Sequence, residues 1–93
     1  MNYELSPKYD SRQSFYGKAR VESDDMKATL YSYETKVAEI RKVSEDDVQV
    51  VLFNAPKLFS KTTTRHIKEF LKQNGLEADS VAQIKRDYII LEV

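Results

Sequence analysis

The stretch Ser60-Lys61-Thr62-Thr63-Thr64-Arg65-His66-Ile67-Lys68-Glu69-Phe70-Leu71-Lys72-Gln73-Asn74-Gly75 limits the fold more than any other. At about 100° per residue, Lys61, Arg65, Lys68 and Lys72 fall on one stripe of a helix. Thr63, Ile67, Phe70, Leu71 and Asn74 fall on roughly the opposite side. A helix of this kind must bury one face against something flat and apolar, and it keeps its cations in water. Its limits are written in the chain as well. The Ser60 hydroxyl can accept a bond from the free amides of the first turn. Gly75 suits the left-handed residue that ends a helix, and Leu76 can then fold back on Leu71.

The residues before it supply the flat partner. Residues 14–22 alternate, with Phe15, Gly17, Ala19 and Val21 on one face and Tyr16, Lys18, Arg20 and Glu22 on the other. Period two predicts a strand. Ser23-Asp24-Asp25 is turn chemistry, because short polar side chains bond their own backbone there. A returning strand over 27–33 sets Ala28, Leu30 and Ser32 against Thr29, Tyr31 and Tyr33. Glu34-Thr35 breaks the alternation as a tight turn or a bulge. Residues 36–43 continue it with Ala38 and Ile40 facing inward and Val37 opposed, and Ser44-Glu45-Asp46-Asp47 forms a second polar turn. Residues 48–53, five of six apolar, read as the most buried strand, ended by Asn54-Ala55-Pro56 because proline cannot donate to a ladder.

Beyond the long helix, Ser80 and Gln83 have capping-box spacing, and Val81, Ile84 and Tyr88 share a helical face. Residues 88–93 nevertheless form a strand-like run. The expectation is therefore a short helix over 80–87 and a terminal strand, the alternative being strand throughout 80–93. The fold class is α+β: an antiparallel sheet of three to four strands, one amphipathic helix, a short second helix and a terminal strand. Residues 1–13 are expected as an irregular arm that packs through its tyrosines, and 14–93 as a single domain.

Composition closes several routes to function. The chain has no cysteine, so it has no disulfide, no thiolate nucleophile and no thiolate metal site. Its one histidine, His66, has no second metal-binding partner, and no serine is set beside it by spacing. No catalytic residue, metal or cofactor is expected. The acidic turns lack the glycine of a calcium loop, and two glycines are too few for a phosphate-binding loop. Fifteen basic and fifteen acidic residues cancel, which disfavours binding nucleic acid through bulk positive field. The start of the chain has no apolar signal region, and no run is long enough to span a membrane, so a cytoplasmic setting is expected.

Two sets of residues remain as partner-binding candidates. The first is the stripe Lys61, Arg65, Lys68 and Lys72, which could meet phosphates or an acidic protein, or could be a solvated helix face. Glu69, four residues after Arg65, is placed to pair with it. A helix–turn–helix reading is weakened by the five-residue link 75–79. The second set is Tyr16, Tyr31 and Tyr33, expected on one sheet face as an exposed aromatic patch, with Phe15, Val21, Ala28 and Leu30 as the core set.

The runs Tyr9-Asp10-Ser11-Arg12, Ser14-Phe15-Tyr16-Gly17-Lys18-Ala19, Thr29-Leu30-Tyr31-Ser32-Tyr33-Glu34-Thr35-Lys36-Val37-Ala38 and Thr63-Thr64-Arg65-His66-Ile67-Lys68-Glu69-Phe70-Leu71 carry a resemblance. The chain resembles a family of small uncharacterised proteins encoded by phages and mobile elements of Gram-positive, largely gut-dwelling bacteria. The resemblance implies a phage or prophage gene product inside a host cell, and it assigns no residue a role. In that setting the expected function is a non-catalytic interaction module that binds a host protein, such as a defence protein of the CRISPR type. The alternative is a small nucleic-acid-binding factor that uses the basic stripe.

Overall fold

The computed structural model describes residues 1–53 and 59–91. Six strands form one sheet: β1 (Asn2–Glu4), β2 (Ala19–Ser23), β3 (Lys27–Ser32), β4 (Thr35–Ser44), β5 (Asp47–Leu52) and β6 (Ile89–Ile90). Among the described residues, two helices, α1 (Lys61–Gln73) and α2 (Val81–Asp87), lie between β5 and β6. The strands stand in chain order across the sheet. All neighbours are antiparallel except β5 and β6, which run parallel. A parallel neighbour cannot be reached by a hairpin, and the helical connection meets that need. The fold is thus α+β, with the expected antiparallel meander at β2–β5 widened to a six-stranded mixed sheet.

The meander follows its turn chemistry. Between β2 and β3, Asp24 Oδ1 accepts from the amides of Met26 at 2.8 Å and Lys27 at 3.0 Å. Between β3 and β4, Ser32 faces Thr35 across a two-residue turn, Tyr33-Glu34, with φ of 52° and 65°. Both central residues are left-handed, the conformation that matches the twist of the flanking strands. The register also shifts between Leu30 and Tyr31, so the broken alternation near 34 reflects a turn and a bulge together. Ser44 pairs with Asp47 around Glu45-Asp46, with a second irregularity at Val43.

The core lies between one sheet face and α1. Ile67, Phe70 and Leu71 are fully buried with Leu30, Val50 and Leu52, as the helix pattern demands, and Phe15, Ala19, Val21, Val37 and Ile84 join them. Ser60 caps α1 by accepting from the Thr63 amide at 3.3 Å. Its end is a Schellman motif: the Leu76 amide reaches Leu71 O at 2.9 Å, the Gly75 amide reaches Lys72 O at 3.0 Å, and Gly75 has φ 77°. Ser80 caps α2 through the Gln83 amide at 3.1 Å, while Gln83 Oε1 reaches back one residue further, to the Asp79 amide at 2.8 Å.

Several expectations change. Residues 2–4 are not irregular; they pair with Arg20, Val21 and Glu22 as an edge strand whose side chains are all exposed, so no alternation betrays it. The anchor of the N-terminal segment is buried Leu5, whereas Tyr3 and Tyr9 are exposed. The strand expected over 14–22 begins only at Ala19, because Tyr16 and Gly17 turn left-handed at φ 54° and 72°. Phe15 keeps its place in the period and is buried, which is why the pattern hides the turn. In β5 burial begins at Val50, and Val48 and Gln49 are exposed. The terminal strand pairs only at Ile89 and Ile90. Residues 54–56, read as the stop of β5, and the last two residues of the 88–93 run lie outside the described residues.

Candidate functional site

At the end of the sheet formed by the β3–β4 turn, the chain gathers most of its unusual local geometry. The segment 14–18 loops past this turn and is tied to it by the Tyr33 amide, which donates to Lys18 O at 2.8 Å. The loop is shaped by the Tyr16 amide on Ser14 Oγ at 2.9 Å and the Lys18 amide on Phe15 O at 3.0 Å. Tyr16, Tyr33 and Glu34 are the non-glycine residues with positive φ among those described, and all three stand here. Bulky left-handed residues cost energy, and they tend to persist where they hold a side chain in a needed place. What they hold outward is two tyrosines: Tyr16 is 77% exposed and Tyr33 52%.

Behind Tyr33 lies a buried polar cluster. Ser32 Oγ is 2.7 Å from His66 Nδ1 and 3.2 Å from Thr63 Oγ1. Phe15 meets the His66 ring edge-on with centroids 4.6 Å apart, and the Tyr33 ring lies at 5.8 Å. Burial holds His66 below the ordinary imidazole value and so neutral, with nearby Asp10 opposing the shift. Spacing gave no sign of this serine, since Ser32 and His66 meet across 34 residues. His66 itself is wholly buried. Ser32 Oγ and His66 Nδ1 are within hydrogen-bond reach, but Ser32 is almost wholly and His66 wholly buried, and among the described residues Nε2 has no carboxylate or other hydrogen-bond partner to orient the ring. Ser32 and Thr63 of the cluster also line an open cleft of about 520 Å³, with Tyr33, Thr35, Val37 and Thr62 among its other walls.

The three tyrosines expected on one face are divided. Tyr31 lies on the sheet face away from α1, with the Arg20 guanidinium stacked 4.0 Å above its ring. Arg20 in turn binds Glu34 at 3.1 Å and also Glu22, and these carboxylates raise its already high pKa. Tyr33 swings to the helix side because the left-handed turn ends the alternation that placed it beside Tyr31.

The basic stripe is divided too. Arg65 Nη1 holds Asp10 at 3.0 and 3.2 Å. Burial acts to raise the Asp10 carboxyl, but the Arg12 amide and the Arg65 guanidinium together hold it below the usual carboxylate value. Lys61, Lys68 and Lys72 form no ion pair among the described residues, and of these Lys61 is exposed. Glu69 does not pair with Arg65. It is buried and accepts from the successive amides of Lys8 at 2.9 Å, Tyr9 at 2.9 Å and Asp10 at 3.0 Å. The stripe and the N-terminal segment are therefore one surface. Among the described residues no cluster of His, Cys, Asp or Glu could hold a metal ion, and no helix is long and apolar enough to cross a membrane.

No curated protein and no solved structure matches the chain. A family model matches residues 3–86, which takes in all of the elements above except the first residue of β1, the last residue of α2 and β6. By that match the chain belongs to DUF8033, a family of unknown function.

Proposed function

We propose that this protein is a non-catalytic interaction module whose contact surface centres on Tyr16 and Tyr33. The supporting observation is the pair of left-handed turns, joined by the Tyr33 amide on Lys18 O, that each expose a tyrosine at the same end of the sheet. A tyrosine already held in place loses little rotamer freedom on binding and buries a large area, which is why tyrosines concentrate at interface hot spots. Tyr31 leaves the set because its ring is already covered by Arg20. In the phage setting that the sequence resemblance implies, the partner is a host protein, and a defence nuclease is the kind a small inhibitor would bind.

The test is capture from nuclease-treated host lysate. The wild type should retain a host protein, and a Tyr16→Ala/Tyr33→Ala variant should lose it while keeping its circular dichroism spectrum. Undiminished capture by a folded double variant would move the contact elsewhere. A second reading, a nucleic-acid-binding factor, draws on Lys61, Lys68 and Lys72, the stripe cations left without an ion pair among the described residues.

A further inference from the structure

The opposite end of the sheet carries a different surface. β6 covers only the end of β5, at Val51 and Leu52, so among the described residues Asp47-Val48-Gln49-Val50 has β4 on one side and no strand on the other. The direction of the backbone groups follows from two bonds. The Phe53 amide donates to Val37 O of β4, and Leu52 O accepts from the Leu91 amide beyond the β6 side. Alternate residues of a strand present their amides and carbonyls to opposite edges, so Val48 and Val50 turn theirs away from β4. The Val51–Ile89 bridge of the parallel ladder takes the Val50 carbonyl for the Ile89 amide, so among the described residues the free groups of this edge are the Val48 amide and carbonyl and the Val50 amide. Beside this edge runs an open groove of about 400 Å³ with Val43, Val48, Val50, Leu76 and Ile89 among its walls. Val48 is 42% exposed and Ile89 44%.

We infer that the free edge of β5 is a docking site for an extended basic peptide segment, which adds as a strand between the β4–β5 hairpin and the end of α2. The backbone geometry selects an extended occupant, because only such a chain meets a row of edge amides and carbonyls. The apolar walls select a side chain such as valine or isoleucine at alternate positions. Charge selects the rest. Asp87 at the far wall is already bonded to Arg86 and Gln83, but Glu45, Asp46 and Asp47 stand at the hairpin without an ion pair among the described residues, so lysines or arginines at that end of the segment would meet carboxylates. Space disfavours a second copy of this chain, since a symmetric antiparallel contact would set Asp47 opposite Val50 of its twin and drive each hairpin into the β6 end of the other. This site is separate from the Tyr16 and Tyr33 surface, as the two lie at opposite ends of β4.

The experiment uses the intact chain, ¹⁵N-labelled, and a capped hexapeptide alternating lysine and valine. Saturable shifts should centre on the amides of residues 47–50, and exchange of the Val48 amide should slow at least about tenfold at saturation. The same peptide N-methylated at alternate residues should lose binding, and a peptide alternating glutamate and valine should not bind. Val48→Pro removes an edge amide that β4 does not use, so it should abolish binding with the fold kept. Should that variant misfold, Glu45→Lys/Asp47→Lys serves instead, because it should exchange the preference from the lysine to the glutamate peptide. Absence of shifts at 47–50, or equal binding of the N-methylated or acidic peptide, overturns the proposal. So does a dimer in sedimentation that joins through this edge.

Discussion

Glu69 binds amides 59 to 61 residues away, and that distance explains why its role could not be read from the chain. Locally it is a helix residue four places after an arginine, and the local rule assigns it to that arginine. The structure gives Arg65 to Asp10 and Glu69 to the backbone of 8–10, so one segment is held by both. Glu69→Ala would leave several amides in a half-buried site without an acceptor, and should cost about 2–4 kcal/mol in a denaturant titration. A loss below about 0.5 kcal/mol would show that water replaces the carboxylate freely. His66 makes a second prediction. Its folded pKa lies below the ordinary 6.5, so near and below that pH the unfolded chain takes up the proton first. Stability should therefore be flat above about pH 7.5 and fall as pH drops below 6.5, before the carboxylates titrate. His66→Gln should lose the slope between pH 6.5 and 5, and an unchanged slope would assign it to other groups.

At the scale of elements, the helices were legible because periodicity, caps and stops agree: Ser60, Gly75 and Leu76 for α1, Ser80 and Gln83 for α2. The buried face was legible for the same reason. Phe70 is completely enclosed, and Phe70→Ala should cost about 3–5 kcal/mol, with a loss well under 1 kcal/mol contradicting the packing of α1 on the sheet. The turn at Tyr33-Glu34 was located only as a break. Its two left-handed residues carry none of the Asn-Gly chemistry that normally marks such a turn, so the sequence could not say which residues form it. Glu34→Gly removes the side chain that opposes φ 65° and gives up only an exposed pair with Arg20. The thermal midpoint should rise by roughly 3–6 °C. A fall would mean that the Arg20–Glu34 contact outweighs the backbone strain. β6 was expected as a terminal strand and differs only in length, but β1 was hidden for a different reason. An edge strand of two or three residues is held by its neighbour and needs no pattern of its own.

For the molecule as a whole, a net charge of zero conceals an uneven surface. Lys61, Lys68 and Lys72 lie along α1 near the N-terminal segment, acidic residues cluster at the β4–β5 hairpin, and the tyrosines stand at the other end of the sheet. Binding to a protein and binding to nucleic acid therefore separate by salt. If the stripe bound phosphates, three cations would release about three counterions, and Arg65 would add a fourth only by giving up Asp10. The log–log salt slope for a short duplex would then be roughly −3. Three contacts carry little affinity at 0.15 M salt, and the acidic end of the same small molecule repels the backbone. The expected result is no measurable duplex or single-strand binding at that ionic strength. Lys61→Glu/Lys68→Glu/Lys72→Glu should leave capture of the host protein unchanged, because the tyrosine turns lie off the stripe. Tight nucleic-acid binding at 0.15 M salt, abolished by this triple reversal in a folded protein, would make the phosphate-binding reading the better one.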